Sequence, residues 1–172
     1  MAELTSASTA ADVTAASIDE LKAYGLASLT QAQLAGLSTT QIGWLTTTVT
    51  TADKIEIADF STAQIGWLNT EQIQALNTAQ IKALTAAQVV KLTADQIAAL
   101  SSTQIGALET ADLVRLTATQ IQALTTDNIK GLSDAQMGKL TATQVKAIET
   151  VDLAVLSTDQ IAALSTANIT GL

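Results

Sequence analysis

Cysteine, histidine and proline are absent from all 172 residues, and aromatic residues make up only 2%. Without cysteine there are no disulfides and no thiolate metal sites, and the redox compartment stays open. Without histidine, Ser–His and Cys–His nucleophile chemistry is excluded as well. A conventional globular core leans on Phe, Tyr and Trp, which bury large areas. Here Leu, Ile, Val and Ala must fill that role, so a thin core of small, regular contacts is expected. Basic residues are few too: eight Lys and Arg against sixteen Asp and Glu leave a net charge of −8. They are scattered singly, as at Lys82, Lys91, Arg115, Lys139 and Lys146, which argues against nucleic acid or an anionic membrane as partner. No apolar run approaches the roughly 18–20 residues of a membrane helix. Met1-Ala2-Glu3-Leu4 carries neither a basic start nor an apolar stretch, so no cleavable signal peptide is expected.

What is present is a repeat. From Phe60 to Leu172 one eight-residue pattern recurs fourteen times without a slip: Leu, Ser/Thr, two variable residues, Gln, Ile, two more. A period held this strictly means one small structural unit stacked on itself. Position two is Ser, Thr or Asn in twelve of the fourteen copies, and these are good helix N-caps. Position five, three residues on, is Gln in ten copies and Asp or Asn in the rest. That is the capping-box spacing, in which the Gln reaches back to the backbone N–H of the cap. The expected pairs include Ser61 with Gln64, Thr85 with Gln88, Thr93 with Gln96, Thr117 with Gln120, Thr141 with Gln144 and Ser157 with Gln160. Positions one and six, such as Leu92 with Ile97, then form the hydrophobic staple around each helix start. A new short helix every eight residues is therefore expected.

Geometry separates this reading from its rivals. In one continuous helix eight residues advance by about 800°, so the apolar stripe would wind around the whole surface. In a strand, positions one and six point to opposite faces, and Ala and Gln are poor strand formers. The expected fold is all-α, a solenoid of short N-capped helices stacked as sixteen-residue helix pairs, with a β-solenoid as the alternative. A helix of about six residues does not persist alone in water, so each octad needs neighbours.

Residues 1–12 are Ser-, Ala- and Thr-rich, fit no octad, and read as a flexible N-terminal tail. Residues 13–172 read as one octad solenoid, its register running back through Leu37, Leu29, Leu21 and Val13. The register breaks at 46–59: from Leu37 to Phe60 is 23 residues, one short of three octads. Twin segments flank the break, Gln41-Ile42-Gly43-Trp44 and Gln64-Ile65-Gly66-Trp67, and they hold both tryptophans. A 40-residue period also shows, as Glu109-Thr110-Ala111-Asp112 returns at Glu149-Thr150-Val151-Asp152. It fits either a block duplication or one turn of a superhelix.

Candidate sites are sparse, and each has a plainer explanation. Asp53, Glu56 and Asp59 cluster inside the break and are a weak metal candidate with oxygen ligands, although Lys54 lies among them. They read first as a solvated turn, since the spacing lacks the Asp-x-Asp-x-Asp-Gly pattern of a calcium loop. Trp44 and Trp67 could mark a peptide- or glycan-binding surface, or could plug the irregular segment. The Gln column could be a ligand ladder, yet capping explains its spacing and its exchange for Asp or Asn. No catalytic residue and no cofactor is assigned, and the chain reads as a non-enzyme.

The Leu-Ser/Thr-x-x-Gln-Ile-x-x tract, from about Leu29 to Leu172, resembles octad-like repeats of very large bacterial exported or surface proteins of the adhesin type. The resemblance implies an extracellular or cell-surface, non-catalytic stalk or spacer, and it carries no binding residues across. Cytoplasmic scaffolds share the acidic, cysteine-free composition. Self-association is expected through the solenoid ends, with Leu164, Ile169 and Leu172 as the adhesive residues.

Overall fold

The computed structural model describes residues 3–45 and 56–169. Among these residues the chain forms seventeen α-helices of four to seven residues and three single 3₁₀ turns, with no strand. The fold is an all-α repeat solenoid, which removes the β-solenoid alternative. It divides into two compact units, Met1–Leu84 and Thr85–Leu172, where the sequence reads as one run.

One octad shows how the local structure arises. Ser61 is extended (φ −62°, ψ 159°) and caps the helix Thr62–Trp67, and Leu68 is extended again at its far end (φ −60°, ψ 135°). Two extended residues in succession, the Leu of position one and the cap of position two, turn the chain between helices. They set Leu68 and Ile65 on the inside, where both are buried. The same two positions are buried in the second unit, as in Leu100 with Ile97 and Leu108 with Ile105.

In the second unit helices pack on partners three octads away. Ala118–Gln122 lies against Ala142–Ala147, Asp134–Met137 against Thr158–Ala163, and Ala86–Val89 against Thr110–Leu113. The stacking unit is thus a coil of between three and four octads, in place of the expected sixteen-residue pair. Six-residue helices are too short to bury a second aliphatic column against their immediate neighbour, whereas a coil covers both columns from above and below. The coils approach closely: a Cβ on Gly131 would run into the backbone carbonyl of Ser102.

The first unit departs from the expected register in two places. Thr9 caps Ala10–Ala15, with Asp12 in the Gln position, so helix begins inside the stretch read as a tail. Ser17 caps Ile18–Tyr24, which ends at Gly25 (φ 82°) and leads into the 3₁₀ turn Leu26–Ser28. Val13 and Leu21 consequently occupy position six, and only Leu29 and Leu37 hold position one. A shortened element before Leu29 shifts the phase by three, and an eight-residue count cannot see it.

Candidate functional site: the glutamine ladder between coils

Each regular octad buries one primary amide, and that of Gln144 uses all its hydrogen-bonding capacity. In the octad of Leu140 the Gln144 Oε1 accepts from the Thr141 backbone N–H at 3.0 Å, and Thr141 Oγ1 accepts from the Gln144 N–H at 3.2 Å. That is the local capping box. The Gln144 Nε2 then donates to the carbonyls of Leu113 and Leu116, each at 2.9 Å and 31 and 28 residues earlier. One side chain therefore caps its own helix and fastens the helix end of the preceding coil. A primary amide fits because it offers an acceptor on one side and two donors on the other.

The same bonds recur through both units. Gln120 reaches Val89 and Leu92, and Gln136 reaches Gly106 and Leu108. In the first unit Gln41 donates to Val13 and Ala16. Gln64, Gln72 and Gln80 donate to carbonyls 38 and 35 residues earlier. Their reach exceeds that of Gln144 by seven residues at both carbonyls (38 against 31, 35 against 28). The stretch from Leu45 to Phe60 is fifteen residues, seven more than one octad, and the difference equals the added reach. Phe60 and Ile57 restore the two apolar columns at its end.

Two octads lack the amide. Glu109 and Glu149 stand at position two and make no side-chain cap, and Asp112 and Asp152 stand buried at position five. Burial pushes the Asp152 carboxyl above its ordinary range, and the charge of Glu149 adds to this. Burial likewise raises Asp112, opposed by the nearby Arg115 and helped by Glu109. Asn128 keeps the ladder in shorter form, taking the Thr125 N–H at 2.8 Å and donating to the Ile97 carbonyl at 3.0 Å. The 40-residue period carries these substitutions and does not match the 28- to 31-residue reach of the coil. That leaves block duplication.

The remaining sequence candidates are not brought together. Asp59 accepts from the Glu56 backbone N–H at 2.8 Å, a cap-like use of its carboxylate. Asp53 lies outside the described residues, and among the described residues no group of three acidic side chains could hold a metal ion. Trp67 is 38% exposed at the end of Thr62–Trp67, and Trp44 is half-buried. An open hollow of about 420 Å³ lies beside the first helix, edged by Glu3, Ser8, Asp12 and Glu20. None of the described helices is long and apolar enough to cross a membrane. Sequence reasoning identified the caps but missed that the Gln column is buried and joins coils. The signal was its preference for Gln over Glu: a carboxylate would serve the cap equally well, and only an amide can also donate.

A solenoid of capped octads joined by buried amides is a repeat protein in the strict sense. The model of the ALTTAQ repeat family matches residues 75–110, 105–142 and 145–172, more than half of the chain, and the chain belongs to that family. Ala83-Leu84-Thr85-Ala86-Ala87-Gln88 follows the name almost letter for letter. No curated protein matches the chain.

Proposed function

We propose that the chain is a non-catalytic structural repeat region, a spacer, stalk or scaffold within a larger bacterial surface or secreted protein. The observation that supports this reading is the glutamine ladder. The polar side chain repeated in nearly every octad is directed inward, onto the chain's own caps and carbonyls, and the hydroxyls of position two are directed onto backbone. A surface evolved for a ligand would instead turn repeated polar groups outward. Uniform octads suit a region whose length is set by repeat number, since each added coil finds the same carbonyls on the coil before it.

The exposure of Trp67 favours a second reading, a peptide- or glycan-binding module centred on Trp67 and Trp44. Tryptophan emission, followed while the chain is titrated with peptide and glycan panels, separates the two. A spacer leaves the emission unchanged across the panel. A saturable shift that disappears in Trp67→Ala would overturn the spacer reading in favour of binding.

A further inference from the structure

Cations that stand singly in the sequence are gathered by the stacking of the second unit. Lys91, Arg115 and Lys139 follow one another at intervals of three octads, and helices three octads apart pack together. The three residues come just after the stacked helices Ala86–Val89, Thr110–Leu113 and Asp134–Met137. Their octads share one backbone form. A four-residue helix is closed by the N–H of position eight, which donates to the carbonyl three residues earlier at 2.9, 2.9 and 3.1 Å. That form half-buries position seven, as at Val90, Val114 and Gly138, and exposes position eight. The longer helix Ala94–Ala99 does the reverse, with Ala98 exposed and Ala99 half-buried. In the second unit a cation thus stands at position eight only where that position faces outward. Helix packing sets such neighbours about 8–10 Å apart, so the three form a column along one edge. Among the described residues none of the three makes an ion pair, whereas Lys130 pairs with Asp127 at 3.7 Å.

The opposite ends of these helices carry the opposite charge. Asp134 begins Asp134–Met137, Asp159 lies in the first turn of the stacked Thr158–Ala163, and exposed Glu109 precedes Thr110–Leu113. Position four, which shares a helical face with position eight, is an exposed alanine at Ala87, Ala111 and Ala135.

We propose that this face, an acidic column and a basic column with alanines between them, docks a second copy of the chain lying alongside in the same direction. A two-fold axis parallel to the stack sets the acidic column of each copy on the basic column of the other. Asp134 of one copy then faces Lys139 of the other, twice over. Coil spacing is common to both copies, so the columns stay level, and the alanines let the two backbones approach. The reversed direction sets acid on acid and base on base. A continuous polyanion fits the basic column less well. The acidic column lies one short helix away, about 6 Å, which is within the roughly 8 Å Debye length.

The test is sedimentation equilibrium of the full chain and of two charge reversals, Lys139→Glu and Asp134→Lys. Both side chains are exposed, so the circular dichroism spectrum should not change. Exposed ion pairs are individually weak, and the parent chain should show a monomer–dimer equilibrium in the high micromolar range. Raising the salt to about 0.5 M should weaken the dimer. Each reversal alone should weaken it more than about tenfold, one by setting acid on acid and the other base on base. Mixed in equal amounts, the two variants should pair with each other at the parental affinity, because each supplies the charge the other has lost. A parent that stays monomeric at low salt, a dimer indifferent to both reversals, or a mixture that stays monomeric would each overturn the proposal. So would a monomeric parent that binds poly-glutamate and loses it in Lys139→Glu, which would give the basic column to an anionic polymer.

Discussion

The Nε2 of Gln144 lies 2.9 Å from the carbonyl oxygen of Leu116, 28 residues earlier in the chain, and the same relation links Gln136 to Leu108 and Gln120 to Leu92. A residue fixed by its own octad as a helix cap is fixed a second time by the coil before it. That double use makes the amide the most informative position to perturb.

Gln144→Leu removes a buried amide and leaves one cap N–H and two carbonyls short of a partner. Each buried group left unsatisfied costs about 1–3 kcal/mol, and the Leu113 carbonyl keeps the Leu116 N–H as a donor. A loss of roughly 2–4 kcal/mol is expected in urea denaturation. Gln144→Glu keeps the acceptor for Thr141 but loses the donors to Leu113 and Leu116 and sets a buried carboxylate against their carbonyl oxygens, so at neutral pH it should destabilise at least as much. A loss in Gln144→Glu far below that of Gln144→Leu would mean that the donors to Leu113 and Leu116 contribute little.

Asp152 is the reverse case. Its proton affinity is raised in the folded chain, first by burial and then by Glu149, from an ordinary value of 3.8. A group shifted this way adds stability below its unfolded value and loses it as pH rises through its folded one. At neutral pH the ionised carboxylate is therefore a net burden. Asp152→Gln, with Glu149→Ser to rebuild the capping box, should raise the melting temperature at pH 7. The gain should shrink as the pH is lowered toward the ordinary carboxylate range. Melts across that range that keep a constant gap between variant and parent would contradict the buried charge as its cause.

Two glycines should respond oppositely to alanine. At Gly131 a Cβ meets the Ser102 carbonyl of a stacked coil, and backbone cannot yield cheaply, so Gly131→Ala should destabilise by about 1–3 kcal/mol. At Gly43, inside Thr39–Trp44, a Cβ meets nothing within 4 Å. Gly43→Ala should stabilise by roughly 0.5–1 kcal/mol, the ordinary helical gain. Chemical denaturation of both variants gives the two signs directly.

Equivalent isoleucines in the repeat are not equivalent in the coil. Ile105 is fully buried and Ile161 is 39% exposed, although both stand at position six. Ile105→Ala should cost about 2–4 kcal/mol as a cavity is left behind. Ile161→Ala should cost less than about 1 kcal/mol. Similar losses at the two sites would show that Ile161 is covered in solution.

Legibility follows the range of the interaction. Ser61 and Gln64 are three residues apart, so the cap they share is written in the octad and can be read there. The alternation of Leu and Ile that gives each octad an inner face is equally local. By contrast, the partner of Gln64 is Leu29, at a distance in sequence that depends on how many octads close a coil. No octad encodes that number. The shortened element before Leu29 is hidden for the same reason, since counting residues by eight cannot see a helix cut short.

The sequence by itself determined that a short capped helix begins at nearly every octad, that Leu and Ile face inward, and that the chain is an all-α repeat. Those features rest on contacts within about six residues, where propensity and capping act. Only the tertiary structure decided that coils close after three to four octads, that the Gln column is buried between them, and that Asp112 and Asp152 interrupt it. It alone separated Ile105 from Ile161. The physical reason is that identical octads have identical local energies, so their differences arise wholly from what the neighbouring coil places on them.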